Sequence, residues 1–372
     1  YQRKYEKERG IRKKGYSSAT DPSDPCEHLS GQKKKDCRKE HGLGEAIGSV
    51  DREKGQQGPV QPDPGDEAVG QVTDDFSKMK VVRVVDFLNS AEGQDPKVRA
   101  ALSGGREDGA PSDEVIQVDE NAAPTVGAMG PTQNEISLMK SIGWGLSSIK
   151  TVENATSGDI TGRGLKIVTS GKLVIDGHHR WSSTWAIAGP DAKISAVDIA
   201  LPGESAEQKL SVAQVAIAAT MPPDSGKIPS ASAKAEGGGS DNILGKDAKT
   251  IAQMILAVEG EIAESKLPIL GPEYLAKIVQ SSAGQKHFGV TPDMDADQAK
   301  GTIVGVVAGN LSNLPPAQGP KRDYMPQFGG GDTHKGQVDL DSVIDKMKSG
   351  DVNYKSMYEG RDPWKDFWTR KK

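Results

Sequence analysis

Cysteine is scarce. Two in 372 residues cannot build a disulfide scaffold, which needs a far denser set in a far shorter chain. Aromatics make up 5% and hydrophobic residues 35%, below the near-half apolar share usual for globular chains, so one core running the whole length is not expected. No run approaches the roughly 20 apolar residues that a transmembrane helix needs. No signal-like apolar run follows Tyr1, so secretion is not expected either. Charge of one sign is lacking too. With 47 Lys and Arg against 52 Asp and Glu, the net −5 is too small to argue for bulk nucleic-acid binding.

Glycine (44) and proline (22) are plentiful and mark linkers and extended arms. Residues 1–58 read as a charged N-terminal arm. Its start is basic (Arg3, Lys4, Lys7, Arg9, Arg12, Lys13, Lys14) with Tyr1, Tyr5 and Tyr16 interspersed. That pattern fits contact with nucleic acid or an acidic protein surface, and equally a solvated charged helix. The arm also holds Cys26, His28, Cys37 and His41. Cys37 and His41, four apart, share a helix face, so a Cys₂His₂ zinc site can be drawn, although the spacing is not that of a zinc finger. A Cys26–Cys37 disulfide is the rival, and a pair of free thiols the third alternative.

Residues 59–112 read as linker with short helices, among them Asp95–Leu102, stopped by Ser103-Gly104-Gly105. Residues 113–202 read as a compact α+β unit. It has a strand at Glu114–Val118 and a helix opened by Pro131-Thr132-Gln133, with Thr132 and Glu135 at capping-box spacing. A hairpin follows, Leu165–Val168 and Leu173–Ile175 around a four-residue turn, then a helix His178–Ala188 and a strand Lys193–Leu201. Residues 203–312 read as helical, interrupted by a Gly/Ser-rich linker at 221–242. From 313 the chain reads as an extended C-terminal arm. Its Tyr354, Tyr358, Trp364, Phe367 and Trp368 have no evident core of their own, so they read as anchors for a partner surface.

The chemistry concentrates in Leu173–Trp181. Three apolar residues end in Asp176-Gly177, and His178-His179-Arg180 open a helix. The first amides of a helix lack partners and its dipole favours anions, so strand, turn and helix start make an anion site. Gly177 allows close backbone approach, Asp176 reads as the helix cap, and Arg180 brings donors suited to phosphate. Each histidine reads either as a phosphate contact or acid–base group, or as a cap or packed core residue. Neighbours on a helix diverge by about 100°, so one histidine, His179, is expected in the pocket beside Arg180. Glu135 and Glu153 are candidate carboxylates, with surface or capping roles as the alternative. His179 and Glu135 are thus the catalytic candidates. Trp181 and Trp185, four apart, read as core.

Asp176-Gly-His-His-Arg180 after a strand, with Pro131-Thr-Gln133 upstream, resembles the ParB/sulfiredoxin superfamily, and more narrowly the ParB-like nuclease domains of phages and mobile elements. The resemblance implies a small mixed-sheet fold across 113–202. It also implies a phosphate cradle of Asp176, Gly177, His178, His179 and Arg180, lined by Gln133, that takes a nucleotide (ATP or CTP) with Mg²⁺. His178 stands where sulfiredoxins carry their cysteine, so their redox chemistry is not expected. Two functions follow as expectations. The first is a structural component of a large assembly, a phage virion, bound to its neighbours through both arms and located in the virion or the host cytoplasm. The second is a nucleotide-dependent phosphotransferase or ParB-like nuclease acting through residues 176–180.

Overall fold

The chain divides into two units, Tyr1–Ala68 and Val69–Lys372. The structure, a computed structural model, describes residues 75–103, 115–222, 225–229, 241–258, 268–329, 338–354 and 363–370, all in the second unit. Cys26, His28, Cys37, His41 and the basic start therefore lie outside the described residues, and with them the zinc and disulfide alternatives. Among the described residues no helix is long and apolar enough to cross a membrane.

Helix and strand are mixed around a five-stranded sheet, the class read from the sequence. The strands are β1 (Val118–Ala122), β2 (Gly130–Pro131), β3 (Ile167–Ser170), β4 (Leu173–Asp176) and β5 (Ala196–Ile199), in the order β1-β5-β3-β4-β2. The pairs β1–β5 and β3–β4 are antiparallel, whereas β5–β3 and β4–β2 are parallel. Gly171, at φ +60°, lets β3 turn into β4 through two residues, so Ser170 faces Leu173 across a tighter hairpin than the four-residue turn expected. The first strand is displaced as well. It begins at Val118, where the Glu114–Val118 reading ends, because Val118 pairs with Ile199 at the sheet edge.

Alternation along the strands sends side chains to two cores. Val168, Leu173, Ile175, Val197 and Ile199 enter one; Ile167, Val174 and Ala196 enter the other. The first core lies under α1 (Val81–Leu88), α2 (Pro96–Ala101), α6 (Ala206–Thr220), α11 (Leu340–Ser349) and α12 (Pro363–Arg370). The second lies under α3 (Leu138–Ile142), α4 (Ile149–Ala155), α5 (His178–Ala188), α7 (Ala248–Ala257), α8 (Pro272–Ile278), α9 (Ser282–Phe288) and α10 (Ala296–Ser312). Residues 113–202 therefore do not close a core alone. Segments before and after them cover both faces of the sheet.

Helix α6 is the centre of the first layer. A capping box of Ser205 and Gln208 starts it, and its run of Ala, Val, Leu and Ile is buried on every side, as an all-round apolar helix must be. Glu207 accepts the Val81 N–H at the start of α1, and the Ser211 hydroxyl donates to the Met79 carbonyl. Among the described residues, those at the C-terminus are tied to the rest of the chain, and Tyr358 lies outside them. Met347 accepts from Ile116, Tyr354 from Phe76, and Asn353 donates to Leu102. Trp364 and Phe367 are buried against Phe76 and Phe87. These aromatics, read as anchors for a partner, fill this chain's own core because α1 presents a matching apolar face.

Candidate anion site at the start of helix α5

Strand β4 ends at Asp176. Gly177, at φ +85° and ψ 26°, swings the chain into α5 and serves as its N-cap with no side-chain cap. A Cβ here would lie 2.7 Å from Ile167 Cγ2 and 2.8 Å from Arg180 Nη2, so both sterics and the left-handed backbone require glycine. Asp176 does not cap the helix as the sequence suggested. The reversal at Gly177 turns its carboxylate onto the Gly177 N–H, at 2.7 Å. The amides of His178, His179 and Arg180 precede the first intrahelical bond, Trp181 N–H to Gly177 O at 3.0 Å, and have no intrahelical acceptor. Gly177→Ala should cost about 1–3 kcal/mol. Denaturant melts of the two proteins measure it, and equal midpoints would show that the turn carries no such demand.

The helix that follows is held hard. Trp181 is fully buried, donates its indole N–H to Val126 O, and meets Trp185 edge to face at 5.3 Å, so both are core residues. Asn310 of α10 donates to Ala186 O near the far end.

His178 is structural in this arrangement. The backbone N–H groups of Thr132 and Gln133 both donate to its Nε2 at 3.2 Å, so that nitrogen carries the lone pair and the proton sits on Nδ1. A hydrogen bond to the Val174 carbonyl favours its charged form, but burial dominates and lowers its pKa to about 3. It stays neutral and staples β2 to α5. The expected helix start at Thr132 is absent for a related reason. The Thr132 hydroxyl donates to Val174 O at 2.6 Å, the chain runs on extended, and Ser137 caps α3 instead by accepting from Lys140 N–H.

His179 turns to the same segment. Its Nε2 accepts the Ser137 N–H at 3.3 Å. Burial, then the charges of Arg322, Lys140 and Arg180, hold its pKa well below the usual histidine value. Arg180 folds back over Gly177 and donates through Nη2 to Lys166 O at 3.1 Å, while its buried Nε has no hydrogen-bond partner. Asp176 is pushed the other way. Burial raises its pKa, offset by Arg180, the Gly177 and Phe328 N–H groups, and Arg322. It is the carboxylate with raised proton affinity at this turn.

The other sequence candidates are placed less directly. Gln133 is buried and donates its side-chain amide to the Glu135 carbonyl, so it reaches the turn through its backbone N–H to His178. Glu135 is half-buried in the loop between Gln133 and Ser137, and Glu153 is exposed on α4. Three positions escaped the sequence reading: Ser137, Lys140 and Arg322. Nothing in their spacing from residues 176–180 signals them, because tertiary packing brings them there.

The arrangement suits anion recognition. Uncapped amides, a neutral histidine and Arg180 surround the half-buried carboxylate of Asp176. Compared with protein-family models, with curated proteins and with solved structures, the chain matches none.

Proposed function

We propose that the protein binds a phosphate-bearing ligand of the nucleotide class at the start of α5. One observation carries this reading. Arg180 is folded over an uncapped helix N-terminus with its buried Nε unpartnered, at a turn that only glycine can make. A buried donor without an acceptor costs free energy that a bound anion would recover. The resemblance of residues 176–180 to the ParB/sulfiredoxin phosphate cradle supports the same assignment. The reading as an assembly component leaned on a small core set between long polar arms that end in the C-terminal aromatics. With Trp364 and Phe367 inside the chain's core, the phosphate site is the better-supported function.

The raised proton affinity of Asp176 favours a second reading, phosphoryl transfer. There Asp176 would take the proton of an attacking hydroxyl as the new P–O bond forms and the bond to the leaving phosphate breaks. His179 fits that task less well, since its Nε2 lone pair is already engaged by Ser137.

Calorimetric titration of the full chain with ATP, CTP and ADP plus Mg²⁺ tests both. Saturable binding is expected. Arg180→Ala should weaken it by roughly 10- to 100-fold, the worth of a charge-assisted hydrogen bond, and Asp176→Asn should tighten it by removing a negative charge. Absence of binding to all three nucleotides would end the reading. Turnover by the wild type that vanishes in a tightly binding Asp176→Asn protein would establish the phosphoryl-transfer role.

A further inference from the structure

Helix α12 lies in a groove of its own chain. Phe76 of the short 3₁₀ turn Phe76–Lys78 and Phe87 of α1 form the floor, both fully buried. Into it α12 sets Trp364, Phe367 and Trp368 at i, i+3 and i+4, one face of a helix. Trp364 packs edge to face on both phenylalanines, Phe367 meets Phe87 at 5.8 Å, and Arg83 stands over the Trp368 ring. Arg370 pairs with Glu92 at 2.8 Å beside them. An amphipathic helix anchored at i, i+3 and i+4 in an apolar groove is a recurring mode of recognition between chains. Here the tether is short. Phe76 donates its N–H to Tyr354 O while its ring holds Trp364, so residues 355–362 begin and end beside one residue.

We propose that α12 is exchangeable, and that at high local concentration two copies of the chain trade it, each filling the other's groove. The fit of the occupant is seen directly, since a second copy brings the same three rings and the same Arg370. A partner of any other composition would have to reproduce that spacing. Exchange costs no contact of α12, because both groove–helix pairs recur unchanged in the swapped dimer. Eight residues join Tyr354 to Pro363 and extend to about 30 Å at most, enough to leave one groove for the next. Released, α12 is too short to stay helical, so it transfers whole rather than by degrees. Concentration then decides. The tether holds the helix near its own groove at an effective concentration on the order of millimolar, which a neighbour matches only where copies are crowded.

Two full-length variants test this by complementation. Trp364→Ala spoils the helix and leaves the groove whole, whereas Phe87→Ala spoils the groove and leaves the helix whole. Each alone should be monomeric by light scattering at about 100 μM, well below the effective concentration that the tether sets. Mixed in equal amounts they should form a heterodimer with a dissociation constant of roughly 1–10 μM, because the intact helix no longer has an intact groove in its own chain. A mixture that stays monomeric would overturn the exchange. So would a heterodimer that survives when Trp364→Ala is added to the Phe87→Ala chain, since no intact helix is then present and the contact lies elsewhere. Should either variant not fold, as seen in its melt, Phe87→Leu or Phe367→Ala takes its place, and the same mixture decides.

Discussion

Between pH 7 and pH 4.5 the fold should lose about 2–3 kcal/mol through His178 alone. Its folded pKa, near 3, lies below the ordinary histidine value of 6.5. A depressed histidine contributes stability that is whole above the unfolded pKa. That contribution shrinks as pH falls toward the folded one, because the unfolded chain takes up a proton that the folded chain refuses. The window therefore runs from about pH 6.5 down to about pH 3, at roughly 1.4 kcal/mol per pH unit. His179 is shifted in the same direction and steepens the loss. Asp176 opposes it. Its raised pKa means that the folded protein takes up that proton first, so acid relieves a carboxylate whose ionisation weighs on the fold.

Urea melts at stepped pH measure the sum, and His178→Ala isolates one part of it. At pH 7 the variant should be roughly 2–4 kcal/mol less stable, because it leaves the Thr132 and Gln133 amides buried without an acceptor and opens a cavity. Below pH 6.5 its stability should fall less steeply, by the share of one proton. An acid profile parallel to that of the wild type would show that His178 is not the titrating group.

How far the sequence speaks depends on which forces shape each element. Helix α5 has the bounds read for it, His178–Ala188, because both ends are set locally, by a left-handed glycine before it and by Gly189 after it. Helix α10 forms although it carries Gly301, Gly305 and Gly309, which lower helix propensity. Asp295 and Gln298 close a capping box at its start, and the three glycines fall on its open side, where packing does not need them. Helix α11 was legible and passed over inside a stretch that glycine and proline made look extended. Asp339 caps its start, Gly350 ends it in the left-handed region, and Val343, Ile344 and Met347 share a face.

Other features had no local signal. The capping box drawn at Thr132 and Glu135 has the right spacing, yet the Thr132 hydroxyl is claimed by Val174, a residue of another strand. Strand β1, Val-Asp-Glu-Asn-Ala, has no apolar alternation, since it pairs only at the sheet edge and its middle faces solvent. At the candidate site, residues 176–180 are contiguous and readable. Arg322 and Ser137 reach them only through packing between separate segments, which a periodic pattern cannot express.

Trp364→Ala should be among the most damaging single substitutions in the described residues, lowering stability by about 3–5 kcal/mol. The ring is 2% exposed and packs edge to face on Phe87 at 4.9 Å and on Phe76 at 5.6 Å. Phe367 and Trp368 continue the cluster, and Arg83 stands 5.1 Å over the Trp368 ring. Helix α12 has eight residues, too few to hold its own shape in water, so its order comes from this docking. The Arg370–Glu92 pair adds little, because its arginine is 61% exposed. Trp364→Phe should recover most of the loss by keeping an aromatic face in the slot. The two variants separate the roles that the C-terminal aromatics can have. Anchors for an external surface would leave the isolated chain's melting midpoint unmoved, whereas a core residue must shift it, with the phenylalanine variant lying between alanine and wild type.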